Sequence, residues 1–199
     1  VSLEDPVEYF VEGINQSQVR PEIGYDFSSG LRQILRQDPD VIMVGEIRDS
    51  ETAGLAVQSA LTGHVVLSTL HTNNSAGVIP RLIDMKVEPF LLPVSLNIMI
   101  SQRLVGELCQ NCKTADDPVP DILQIIKRVM ADLPKEIKEK YPEPYKIYHA
   151  HGCANCKGRG VVGRVALHEV FEMTPEVEEI IVGGPTLQKL AVEARRQGM

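Results

Sequence analysis

The 199 residues contain no tryptophan, and aromatic side chains make up only 5% of them. What remains, 43% hydrophobic and 24% charged, is the composition of an ordinary globular protein. A basic excess is also missing. The net charge is -7 and the pI about 5.3, which argues against a nucleic-acid-binding surface, although a local basic patch remains compatible with an acidic total. No long apolar run is present. The longest, over residues 90–100, is too short to cross a bilayer and is interrupted by Pro93 and Asn97. No signal peptide opens the chain. The first residue is Val1, and Val-Ser-Leu reads as the middle of a strand, so the expectation is a piece of a longer protein whose upstream part precedes Val1.

Residues 1–103 alternate short apolar runs with amphipathic segments, the pattern of a parallel α/β sheet. Val41, Ile42, Met43 and Val44 predict a strand buried on both faces. A helix follows. Asp49 or Ser50 caps it, Ala53, Ala56, Val57, Ala60 and Leu61 share a face, and Gly63 ends it. Residues 65–68 predict a second buried strand. Residues 9–27, with Gly13, Pro21 and Gly24, read as an antiparallel hairpin or an excursion from the main sheet. Helices are expected over residues 28–36 and 76–85. Pro80 must kink the second or lie in its first turn.

Strand ends carry the first chemical signal. Glu4 and Asp5 follow the first run, and Glu46 follows the Val41 run through Gly45. In a parallel sheet the ligand crevice lies outside the carboxyl ends of the strands. Two acids delivered there suit a Mg²⁺ ion and an attacking water, one carboxylate holding metal and the other handling water. His71 follows residues 65–68 at the same edge. His64 lies seven residues earlier, and an extended strand would separate the two by roughly 20 Å. A lone histidine beside a strand is more often a satisfied structural residue than a ligand, which weighs more against His64 than against His71.

The second signal is four cysteines in two Cys-x-x-Cys pairs, Cys109 with Cys112 and Cys153 with Cys156, separated by residues 113–152. Two such knuckles supply four thiolates to one tetrahedral Zn²⁺. A redox pair and four free thiols are the alternatives. His149 and His151 are spare nitrogen ligands. The stretch over residues 106–163 has few large apolar residues, including a charged amphipathic segment over 122–133, so something besides a core must hold it together. Residues 165–171 predict a strand, two terminal helices follow, and residues 183–186 join them as a turn.

Three ordered motifs carry a resemblance. Leu3-Glu4-Asp5-Pro6-Val7-Glu8-Tyr9 resembles the aspartate box of the type II secretion and type IV pilus assembly ATPases. The stretch from Arg36 through Val41, Val44 and Glu46 to Asp49 resembles their Walker B element, and Thr62 through His64 and His71 to Asn73 their histidine box. The resemblance implies a RecA-like α/β core over residues 1–105, a zinc-binding tetracysteine insertion over 106–163, and a C-terminal strand and helices over 164–199. It implies an ATPase using ATP and Mg²⁺, with Glu4 as general base, Glu46 beside Mg²⁺, and His71 at the γ-phosphate. Asp5, Arg48 and His64 are implied in nucleotide binding, and Arg32 and Arg36 are further candidates for phosphate or subunit contacts. It implies a cytoplasmic ring of six copies, peripheral to the inner membrane, acting on an inner-membrane platform protein, with no nucleic acid and no membrane span. In the family such a tetracysteine insertion is often carried by assembly and secretion motors and generally not by retraction motors, which tilts the resemblance toward assembly or secretion. A retraction or DNA-uptake motor and a non-enzymatic zinc-stabilised docking module are the rival readings. One departure is decisive. The chain contains no Gly-x-x-x-x-Gly-Lys-Ser/Thr phosphate-binding loop, and it is expected to be inactive by itself.

Overall fold

A computed structural model describes residues 1–131, 133 and 135–199. The chain divides into two compact units, one formed by residues 1–99 and 172–190 and the other by 100–171 and 191–199.

The first unit is built on a four-stranded, wholly parallel sheet. Its strands are β1 (Ser2–Glu4), β2 (Gln16–Gln18), β3 (Val41–Val44) and β4 (Val65–Ser68), in the order β2-β1-β3-β4. Helices α1 (Phe27–Ile34) and α2 (Ser50–Leu61) pack against it and against each other. Asp26 caps α1 by accepting from the Ser29 amide, and Asp49 caps α2 by accepting from the Thr52 amide. Gly30 lets α1 approach β1, since a Cβ there would lie 2.8 Å from Leu3 Cδ2. Leu3, Leu31, Ile34, Ile42, Val44, Ala53 and Val57 form the core between sheet and helices.

The other face of the sheet differs from expectation. Met43 is 38% exposed, Val65 55% and Leu67 54%, so β3 and β4 are not buried on both faces. Among the described residues, helices cover only the Leu3–Val44 side. Residues 9–27 also differ. Gln16–Gln18 runs parallel to β1 as an edge strand of the main sheet. The only antiparallel pairing recorded there is the Arg20–Tyr25 bridge around a single 3₁₀ turn, Pro21–Ile23. Strand propensity carries no direction, and the loop over residues 5–15 is long enough to bring the chain back alongside β1.

Helix α3 (Val78–Asp84) places Pro80 at its third position, so the proline lies in the first turn, where its missing N–H costs no helical bond. Helices α4 (Leu92–Ser95) and α7 (Pro175–Val182) pack together in the same unit. Residues 183–186 form the expected turn before α8 (Leu187–Arg196).

Strand β5 (Ile98–Leu108), which belongs to the second unit from Ile100 on, pairs with β8 (Val161–Glu172), which belongs to it up to Phe171. Strands β6 (Lys113–Asp116) and β7 (Ile147–Ala150) form an antiparallel ladder with Lys113 opposite Ala150. Between them lie α5 (Pro120–Ala131) and α6 (Lys135–Lys140). Helix α5 is the expected amphipathic segment, with Asp132 outside the described residues. Within residues 106–163 the buried hydrophobic side chains, among the described residues, are Cys109 and Cys156. No helix among the described residues is long and apolar enough to cross a membrane.

Candidate functional site

Cross-links between strand ends set the geometry of the first site. The Gly45 amide donates to the Leu3 carbonyl at 2.7 Å, and the Ile47 amide to the Thr69 carbonyl at 2.9 Å. The Thr69 hydroxyl donates back to the Gly45 carbonyl at 2.7 Å. Position 45 must be small, because a Cβ there would sit 3.0 Å from the Leu3 oxygen. The ends of β1, β3 and β4 are thereby drawn to one edge. They enclose a cleft of about 510 Å³ lined by Glu4, Asp5, Glu46, Arg48 and His71, with Glu8 from the following loop.

Glu46 is the hub. Its side chain is 12% exposed and each oxygen has a partner: Arg48 at 2.5 Å on Oε1 and His71 Nε2 at 3.1 Å on Oε2. Arg48 also lies 4.0 Å from Asp5. Each oxygen keeps a second lone pair, so a metal can meet Glu46 directly or through water. Glu4 stands apart from that network. It accepts from the Ser2 hydroxyl at 2.5 Å and the Gln16 side-chain amide at 2.9 Å. The Gln16 bond first, and the Ser2 bond second, hold its carboxyl below the usual glutamate range.

The cleft gathers Glu4, Asp5, Glu46, Arg48 and His71 and leaves three candidates outside. His64 Nδ1 lies 3.0 Å from the Ser59 carbonyl and 3.2 Å from the Thr62 hydroxyl. It caps the carboxyl end of α2, at the opposite end of β4 from His71. Arg32 pairs with Glu51 between α1 and α2, and Arg36 lies in the 3₁₀ turn Leu35–Gln37. Sequence reasoning missed Gln16 and Ser2. Ser2 was legible, because residues two apart in a strand share a face. Gln16 was not, because its neighbour is known only once β2 is paired.

The second site lies where the β6–β7 ladder brings the two Cys-x-x-Cys knuckles together. Sulfur separations are 3.8 Å for Cys109–Cys153, 3.9 Å for Cys112–Cys156 and 3.8 Å for Cys153–Cys156. All four sulfurs lie within 4.8 Å of one another. A disulfide would need about 2.05 Å. A tetrahedron with metal–sulfur bonds of about 2.3 Å has edges of about 3.8 Å. These four residues could hold a metal ion. Backbone amides prepare the sulfurs. Those of Cys153 and Gly160 donate to Cys156 at 3.1 and 3.2 Å, and amide donation, from Cys153 first, brings its thiol down to about 6. The Asn111 amide lowers Cys109, while burial pushes Cys112 up to about 12. Gly152 and Gly160 have φ of 90° and 71°, and a Cβ at either would strike backbone at 2.5 or 2.7 Å.

The family described as "Type II/IV secretion system protein" matches residues 1–199. The type IV pilus assembly ATPase PilB of Thermus thermophilus is 45% identical over 198 residues, which cover all of this chain and 21% of that protein. The type II secretion system ATPase E of Vibrio cholerae is 45% identical over 181 residues, 91% of this chain and 34% of its own length. The chain thus spans between a fifth and about a third of these relatives. Among solved structures, the pilus retraction motor PilT with bound ADP aligns over 99% of this chain and 48% of its own, with a TM-score of 0.59 and 25% identity.

Proposed function

The chain belongs to the type II/IV secretion system protein family, and from that premise we propose that it is the acid-bearing part of a motor ATPase powering type IV pilus or type II secretion pseudopilus assembly. The observation that carries this reading is the convergence of Glu4, Asp5, Glu46, Arg48 and His71 at the carboxyl edge of one parallel sheet. The core is read as RecA-like. Glu4 handles the attacking water, Glu46 holds Mg²⁺ directly or through its waters, and Asp5 and Arg48 balance the charge around it. His71, tethered to Glu46 and largely exposed, is read as the residue that reaches the γ-phosphate. Relatives named for assembly and secretion match at 45% identity, against 25% for the retraction motor, which supports assembly over retraction. The motor works as a ring of six in the cytoplasm, against an inner-membrane platform protein.

Cys109, Cys112, Cys153 and Cys156 are read as ligands of one structural Zn²⁺. The sulfur spacing fits it, and four ligands leave no open position for substrate. The ion supplies a cross-link there and no chemistry.

The histidines separate in this reading. His71→Ala in the full-length gene product should lower ATP turnover at least tenfold, whereas His64→Ala should leave turnover within about twofold. The latter removes a helix-end hydrogen bond and should cost about 1 kcal/mol of stability. Steady-state hydrolysis and thermal melting of both variants check this, and equal turnover losses would refute the assignment of His71.

Phosphate binding needs the missing loop. Glu4, Asp5, Glu8 and Glu46 outnumber Arg48 in the cleft, so a nucleoside triphosphate meets net repulsion without an amide cradle or lysine. Residues 1–199 alone should bind MgATP more weakly than about 1 mM and show no turnover. Isothermal titration checks it, and micromolar affinity would mean the phosphate site has been misplaced.

A further inference from the structure

The Glu4 carboxylate is held asymmetrically. Ser2 and Gln16 both donate to Oε1, at 2.5 and 2.9 Å, and among the described residues no donor to Oε2 is recorded. Gln16 stands opposite Ser2 in the β1–β2 register, on the face that Glu4 shares. Both N–H groups of its carboxamide and its oxygen have partners. Nε2 donates to Glu4 and to the Tyr9 carbonyl at 2.9 Å, and Oε1 accepts from the Val11 amide at 2.7 Å. The orientation of that amide follows from its partners. Flipped, its oxygen would face the Glu4 and Tyr9 oxygens, and its nitrogen would face the Val11 N–H.

We propose that Gln16 is a positioning residue for the attacking water: anchored on the backbone of residues 9–11, it holds Glu4 by Oε1 and thereby presents Oε2 to the cleft. This rests on the reading of Glu4 as the group that handles that water. The anchor works against competing charges. Asp5 on the same segment, Glu8 on the next loop and Glu46 after β3 repel the carboxylate, while Arg48 attracts it. Without Gln16 only the Ser2 hydroxyl holds Oε1, and the carboxylate is freer to turn from the orientation the water needs. The anchor also ties the site to an exposed loop, since Tyr9 is 81% and Phe10 94% exposed.

Two variants test this. Gln16→Met keeps length and loses the amide; Gln16→Glu keeps the acceptor for Val11 and loses the donor. In residues 1–199, carboxyl NMR should show Glu4 titrating at higher pH in Gln16→Met, because a bond favouring the charged form is gone; in Gln16→Glu the added negative charge raises it as well, so the Met variant carries this readout. The Gln16 side-chain amide signals should follow the Glu4 titration in the parent and cease to in Glu4→Gln. In the full-length gene product, kcat should fall about tenfold with KM for MgATP nearly unchanged, and the acid limb of the pH–rate profile should move to higher pH. A Glu4 titration unmoved by Gln16→Met overturns the proposal. A titration that moves while the acid limb stays fixed upholds the Gln16–Glu4 coupling and removes Glu4 from water activation.

Discussion

Replacing Glu4 with Gln in the full-length gene product is expected to lower kcat for ATP hydrolysis by about 10²–10⁴-fold, the usual range for a positioned general base. MgATP affinity should change little, because Glu4 touches Ser2 and Gln16 rather than the Glu46–Arg48–His71 network. Two effects compete in that number. The hydrogen bonds that orient Glu4 also lower its basicity, and a weak base contributes little proton transfer. Phosphoryl transfer asks little of a base, since its transition state is loose and positioning dominates. Glutamine has the same shape and can still accept from a water. The substitution therefore separates the two roles: near-normal turnover in Glu4→Gln would mean that orientation alone suffices and that no proton passes to residue 4. Glu46→Gln is the internal comparison. Its carboxylate pairs with Arg48 and meets His71 Nε2, so its loss should appear in the Mg²⁺ concentration dependence as well as in kcat. Hydrolysis measured against Mg²⁺ for both variants distinguishes them.

How much of this was legible in the sequence depends on whether a local rule or a long-range pairing set the feature. Helix α2 was readable to its ends, because Asp49 caps it and Gly63, just beyond it at φ 101°, lies where glycine is favoured. The acids at the ends of β1 and β3 were readable as well, since an apolar run ending in an acid signals a strand edge whatever surrounds it. The direction of β2 was not. Gln-Ser-Gln has no apolar face to fix a neighbour, and only pairing with β1 showed that Gln16 reaches Glu4. The exposed side of β3 and β4 was misread for a related reason. A continuous apolar run predicts two covered faces, but cover is supplied by other elements, and the described helices lie on one side only. His64 and His71 share a motif, yet the strand between them places one at a helix end and the other at the cleft. Spacing predicted their separation without assigning their jobs.

Removing metal from the cysteine cluster should have the largest structural effect. Substituting any one of Cys109, Cys112, Cys153 or Cys156 with Ser, or chelating the ion, is expected to unfold residues 106–163 and spare residues 1–99. The two regions differ in what holds them. Residues 1–99 have a core that includes Leu3, Leu31, Ile42, Val44, Ile79 and Leu82, each no more than 2% exposed. Residues 106–163 bury, among the described hydrophobic side chains, two of the cysteines themselves. Helix α5 contains no fully buried residue, so little apolar burial would survive loss of the cross-link. Structural zinc contributes roughly 10–16 kcal/mol at neutral pH in small zinc-folded peptides, more than the whole stability of many domains. The loop between the knuckles, residues 113–152, is long, and the entropy lost on closing it makes spontaneous assembly without an ion still less favourable. Metal analysis of protein purified under reducing conditions should find one zinc per chain. Hydrogen exchange should show protection lost across β6, β7 and the knuckles in each serine variant, with α1, α2 and β3 unchanged. Protein free of metal that keeps full protection across β6 and β7 would show that the hydrogen bonds donated to the sulfurs suffice to hold this unit, and that the cysteines are packing residues rather than ligands.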